Sequence, residues 1–255
     1  MENTGSKNIT ASTTLSAAVT QSLEAAAVFD RYEMDYGNSG HLSIQEACAN
    51  YGTDVKGLLR ELNDTARSLN ICGNTGDWEA PFLCDFIKAN MHARLVKRLP
   101  DVKHRLIAAE KEKFIGKSTM RSFREFADNL QFHINKEQRM IFPYIKRIAS
   151  AADSGMMLEM APFGRVANPL KSLAAEHIGM TRIIREIIDE VNEAAGQNYN
   201  SDHLQTLSRE LKELASALRL YIHFENNLLF PKTVLLERRV LPTNRRKISR
   251  KSKIN

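Results

Sequence analysis

Between Leu204 and Leu228 the chain repeats one apolar face without a break: Leu204, Leu207, Leu211, Leu214, Leu218, Tyr221, Glu225, Leu228, in alternating steps of three and four residues. That spacing holds a single stripe of a helix toward one partner surface. Three other stretches share the period and carry almost no strand pattern. Segment A runs from about Phe82 to Lys113, with a kink expected at Pro100. Segment B runs from Lys117 to about Ala151, bending or ending near Pro143. Segment C reaches from the end of the 161–169 loop to about Ala195, and segment D from Asp202 to about Leu229. Four such helices with short connections predict an all-α chain, an antiparallel up-down four-helix bundle. With 12 Gly and 7 Pro in 255 residues the chain is poor in turns, which disfavours an all-β fold.

The seams carry groups that an apolar core does not need. Segment A reads Phe82, Phe86, Ala89, His92, Val96, Leu99, Val102, and segment B reads Phe123, Phe126, Leu130, His133, Glu137, Met140, Tyr144. Segment C reads Leu170, Leu173, His177, Met180, Ile184, Ile187, Val191, and segment D places Glu225 on its stripe. Burying an unpaired carboxylate or imidazole is costly. Any one of these has an ordinary explanation, as a hydrogen-bonded core histidine or a glutamate where the face meets solvent. Five of them, with at least one per helix, can meet in one layer of an antiparallel bundle. Neutral imidazoles ligate metals and carboxylates bridge them, so the set favours a dinuclear site over a purely structural polar layer. His133 and Glu137, four residues apart, share one helix face. The donor mixture suits iron or manganese, admits zinc and does not suit magnesium. His41, His104 and His203 fall outside the seams and read as solvent or capping residues.

Before the bundle, residues 1–11 read as disordered and 12–69 as a small helical domain. It opens with an Ala-rich stretch from Leu15 to Arg31, then a turn, Asp35-Tyr36-Gly37-Asn38-Ser39-Gly40-His41. Ser43-Ile44-Gln45-Glu46 has capping-box spacing, and a further helix is expected from about Asp54 to Ser68. Residues 70–80 read as a linker, 81–237 as the bundle and 238–255 as a basic, disordered tail. That tail carries eight Lys and Arg and no acid, and removing its charge from the formal +6 leaves −2 for the rest. Contact with nucleic acid is therefore expected only weakly, through the tail. Cys48, Cys72 and Cys84 form no CxxC pair, no run of about 18 apolar residues occurs, and the polar N-terminus lacks the apolar stretch of a signal peptide. These features predict a cytoplasmic protein with reduced thiols and no membrane span.

The strings DFIKANMHARLVKRLP (85–100), HINKEQRMIFPYI (133–145), AAEHIGMTR (174–182) and YIHFENNLLFPK (221–232) resemble hemerythrin-like di-iron proteins. The branch they resemble most is the repair-of-iron-centres group, and the likeness covers about residues 15–236. It implies a carboxylate-bridged pair of iron ions, with His92, His133 and His177 as terminal ligands and Glu137 and Glu225 as bridges. It also implies a small diatomic ligand, NO or O2, and damaged iron–sulfur proteins as partners. A binding or sensing protein without repair activity is the alternative.

Two departures stand out. Two adjacent cysteines of the family's N-terminal domain are missing here, where Gly37 and Asn38 stand. The family's histidine four residues before the last glutamate is Tyr221, counted here in the metal set either as a ligand or as a hydrogen-bond donor to a bridging carboxylate. His223 lies about 200° around the helix from Glu225 and reads as an outer-face residue or one behind the ligands. With the thiols gone, a chain beginning near Asp77 is expected to fold and bind metal by itself.

Overall fold

A computed structural model describes residues 8–67, 73–198 and 200–241, and among these every regular element is helical. Four short helices come first: α1 (Leu15–Gln21), α2 (Glu24–Arg31), α3 (Ile44–Tyr51) and α4 (Val55–Arg67). Thr14 caps α1 through its side chain. Ser43 and Glu46 form the expected capping box at α3, which Gly52 ends in the left-handed conformation. The Ala-rich stretch is therefore two helices, broken at Ser22–Leu23. Leu15, Val19, Phe29, Met34, Tyr36, Ile44, Leu58 and Leu62 form a core of their own.

Four long helices follow: α5 (80–111), α6 (117–153), α7 (Ala167–Gln197) and α8 (202–240). They form the expected antiparallel bundle, each packed on its sequence neighbours with α8 closing onto α5. Pro100 does not end α5. Helix α8 runs on through Pro231 to Val240, so residues 238–240 of the expected tail are helical; residues 242–255 lie outside the described residues. Among the described residues no helix is long and apolar enough to cross a membrane.

Two further expectations change. Residues 8–11 belong to the folded unit: Ile9 is buried, and its N–H and C=O are both held by the Asn63 side chain at 3.0 and 2.9 Å. The described part of the 70–80 segment is docked. The Thr75 hydroxyl donates to the Thr20 carbonyl, and the Trp78 ring packs edge-on against Phe82 and Phe86.

Three bundle helices widen to a π-helical turn: Ile87–His92 in α5, Glu137–Ile141 in α6 and Phe224–Leu229 in α8. In α6 and α8 the cause is legible. Both read Glu-x-x-x-(Ile/Leu)-Phe-Pro, at 137–143 and 225–231. Pro143 and Pro231 cannot donate to the carbonyl four residues back, and their rings crowd it. The preceding Phe142 and Phe230 N–H groups instead reach five residues back, to the Glu137 and Glu225 carbonyls. The turn in α5 has no proline behind it.

Each extra residue moves the following side chains by about 100°. Met140, expected on the seam of α6, is therefore 52% exposed, and Ile141 points inward at 2%. In α5 the buried residues before His92 include Leu83 and Ile87, the latter five residues short of it, while Phe82 and Ala89 face out. Helix α7 has no such turn, and all seven of its expected seam residues are buried.

Candidate metal centre

The bundle brings His92, His133, Glu137, His177, Tyr221 and Glu225 into one layer, every one of them buried. His92 Nε2 lies 3.1 Å from Glu137 Oε2, His133 Nε2 2.9 Å from Glu137 Oε1, and His177 Nε2 3.2 Å from Glu225 Oε2. The Nε2 atoms of His133 and His177 are 3.0 Å apart. Ligand atoms of His133, Glu137, His177 and Glu225 all fall within 4.8 Å of one another. The Tyr221 hydroxyl donates to Glu137 Oε2 at 2.7 Å.

Each histidine is held from behind at Nδ1, which leaves Nε2 facing the layer. Gln138 Nε2 is 2.9 Å from His92 Nδ1, Glu176 Oε2 is 2.7 Å from His133 Nδ1, and Asn226 Oδ1 is 2.9 Å from His177 Nδ1. These three partners were not singled out in the sequence, yet each is the chain neighbour of a seam residue: Glu137–Gln138, Glu176–His177, Glu225–Asn226. A neighbour lies about 100° around the helix and so reaches the histidine of the adjacent helix. The offset is +1 in α6, −1 in α7 and +1 in α8. The alternating sign follows from alternating helix direction, since a reversed right-handed helix turns the opposite way in the same view.

The α5/α6 and α7/α8 pairs repeat one design. His92 has Glu137 in front, Gln138 behind and the Phe142 ring parallel to it at 5.6 Å. His177 has Glu225 in front, Asn226 behind and Phe230 parallel at 6.1 Å.

The layer leaves several of its buried polar atoms unpaired. His92 Nε2, Glu137 Oε1 and both Glu225 oxygens are buried without a hydrogen bond. Burial together with the Glu137 carboxylate pushes the Glu225 pKa well up. Burial also opposes charge on His133, but Glu137 and Glu225 overcome it and hold its pKa up at about 10. Burial and the charge on His133 take His177 down to about 4. Two carboxylates and three inward-facing imidazole nitrogens in a buried layer are what a metal cation satisfies, and the residues fit that role.

Residues 89–233, more than half the chain, match the family described as the hemerythrin HHE cation binding domain. The chain belongs to this family. Chains similar to it include the iron-sulfur cluster repair protein YtfE of Edwardsiella ictaluri (strain 93-146), 27% identical, with 82% of this chain and 91% of that one covered. The YtfE proteins of Escherichia coli O157:H7 and Citrobacter koseri are 25% and 24% identical over the same shares.

Within this hemerythrin-family bundle His223 does not join the layer. It is fully buried on the opposite face of α8, under the N-terminal helices, with Nε2 3.5 Å from the Thr20 hydroxyl and Nδ1 3.3 Å from Asn227 Nδ2. The expected outer face is thus an interface, and burial lowers the His223 pKa to about 3. His41 and His104 are exposed, and the His203 ring faces Glu112 at 3.6 Å.

Proposed function

We propose that this chain holds two iron ions between its bundle helices and takes part in repairing iron–sulfur clusters damaged by nitric oxide or oxidative stress. The observation that carries the metal reading is the convergence of fully buried carboxylate oxygens without a hydrogen bond, both of Glu225 and Oε1 of Glu137, with three imidazoles whose Nδ1 atoms are already engaged. His92, His133 and His177 would be terminal ligands, and Glu137 and Glu225 would bridge. The iron pair would supply redox chemistry and a position for NO or O2. The chain's part is to orient the imidazoles from behind, to hold a phenolic proton at Glu137 and to keep water out with Phe142, Phe230 and Leu218. Tyr221 acts as a donor to Glu137, since burial with Glu137 and Glu225 nearby holds its pKa well above 10.

The likeness to repair proteins over most of both chains supports the repair role. The second reading, a metal or diatomic-gas binding protein without repair activity, is favoured by Gly37 and Asn38 where that group has its thiols. Protein purified without added metal should contain close to two iron atoms per chain, and Glu225→Ala should lose most of it. A folded chain free of transition metal after anaerobic preparation would overturn the metal reading. Restoration of a damaged cluster enzyme in a coupled assay separates the two readings.

A further inference from the structure

The turn that replaces the cysteine pair is seated directly behind the metal layer. Asn38 closes it, its backbone N–H and side-chain amide donating to Asp35 at 3.0 and 2.8 Å, and its amide also reaches the Thr181 hydroxyl on α7 at 3.0 Å. Asn227 Nδ2 donates to the carbonyls of Tyr36 and Gly37 at 3.2 and 3.1 Å, and Asn226 Nδ2 reaches the Gly37 carbonyl at 3.5 Å. The approach is close enough to exclude a side chain. A Cβ on Gly37 would stand 2.8 Å from the Arg219 carbonyl oxygen and 3.0 Å from the Ile222 side chain, and one on Gly40 2.7 Å from Asn227 Oδ1. A cysteine at 37 could not occupy this seat.

The polarity of the Asn226 amide follows from that contact. A carbonyl only accepts, so Gly37 draws Asn226 Nδ2 toward itself and turns Oδ1 to His177 Nδ1. His177 then carries its proton on Nδ1 and presents a bare Nε2 to the layer. His92 makes the contrast: among the described residues no backbone carbonyl meets the Gln138 amide, and there it is the nitrogen, Nε2, that faces the ring.

We propose that the 36–40 turn is a clamp in which the Gly37 carbonyl, through Asn226, sets the tautomer and ring orientation of His177. The N-terminal unit then serves the metal centre as a positioning element in place of thiol chemistry. This rests on His177 being a ligand.

The test is a double-mutant cycle in the full chain, titrating zinc alone, a redox-silent probe, against a chromophoric chelator. Asn226→Ala and Gly37→Ala should each weaken zinc binding about 10- to 100-fold, the range for partners behind a metal ligand. Because both act through one amide, the double variant should be no weaker than the weaker single. Effects that multiply, or a folded Gly37→Ala of unchanged affinity, would overturn the clamp. If Gly37→Ala loses its helical circular dichroism, Thr181→Val, which only removes the acceptor of Asn38, takes its place in the cycle under the same criteria. Nitrogen-15 spectra of the metal-free chain give a readout that stability alone does not move. His177 should be protonated at Nδ1 in the parent and become a tautomer mixture in Asn226→Ala and in the turn variant. An unchanged pattern would overturn the proposal. A parent that binds no metal while keeping this His177 pattern would sink the di-iron reading and leave the relay standing.

Discussion

The phenol of Tyr221 donates a hydrogen bond to Glu137 Oε2 at 2.7 Å, joining the seam of α8 to the seam of α6 across the bundle centre. The resemblance to the repair group implies an imidazole here. With the proton retained, Tyr221 leaves one fewer nitrogen for metal and one more hydrogen bond for the carboxylate.

Tyr221→Phe should therefore keep its metal. A hydrogen bond to a charged, buried acceptor is worth roughly 1.5–3 kcal/mol, and its loss should appear as a lower denaturant midpoint of the metal-free chain at unchanged slope. The oxidised iron-loaded parent should lack the visible phenolate-to-iron band. A band that this substitution abolishes would make Tyr221 a ligand.

Glu176 holds His133 at Nδ1, and Lys136 shares the same carboxylate. Glu176→Ala should weaken metal binding about 10- to 100-fold while leaving helical content unchanged. Glu176→Gln, which keeps an acceptor oxygen for Nδ1–H, should recover most of that loss. Competition titration reads both. Equal losses in the two variants would show that carboxylate charge, and not orientation, is what His133 needs.

The parts of this centre that could be read in the sequence are those that obey a 3.6-residue period. Helix α7 is regular from end to end, so its seam and His177 follow directly from spacing. In α5 and α6 the spacing placed His92, His133 and Glu137 correctly but misassigned Phe82, Ala89 and Met140, because a π turn shifts the face by one residue. The Phe-Pro pairs at 142–143 and 230–231 were the available signal for two of the three turns. His223 was misread for another reason. A seam identifies which face meets the bundle, but nothing in α8 alone indicates that its opposite face is roofed by Tyr36 and Thr20. Gln138, Glu176 and Asn226 are ordinary surface residue types, and only helix direction gives their position meaning.

A chain beginning near Asp77 should still fold. The N-terminal core is separate from the bundle core, and among the described residues only Leu23 and Leu220 border both. It should bind metal more weakly than the full chain, however. Truncation removes the Gly37 carbonyl from Asn226 and exposes His223 and Arg219, the latter paired with Asp30 at 2.7 Å. Full affinity in the truncated chain would restore the simpler expectation that the two units separate in role.

The repeat between the two helix pairs yields the last prediction. Glu176 precedes His177 on α7 and backs His133, the residue four before Glu137. By the same repeat, the equivalent residue of the other pair is the one that precedes His92 on α5, and its counterpart is the position four before Glu225. These are Met91 and Tyr221. Met91 is buried and offers an imidazole N–H only the weak acceptor of its thioether sulfur. A histidine at 221 would therefore be introduced without the partner that orients it, and its inner proton would be placed by chance. Tyr221→His alone should fail to raise metal affinity and should lose stability, having broken the bond to Glu137. Adding Met91→Glu should supply the acceptor, and the pair should bind metal more tightly than either single variant. The Met91→Glu single should be the least stable of the set, since it buries a carboxylate with nothing to satisfy it. Chelator competition and thermal unfolding of the four proteins decide the matter. Strictly additive effects, or a Tyr221→His variant that gains affinity unaided, would show that the two helix pairs are not equivalent at this level.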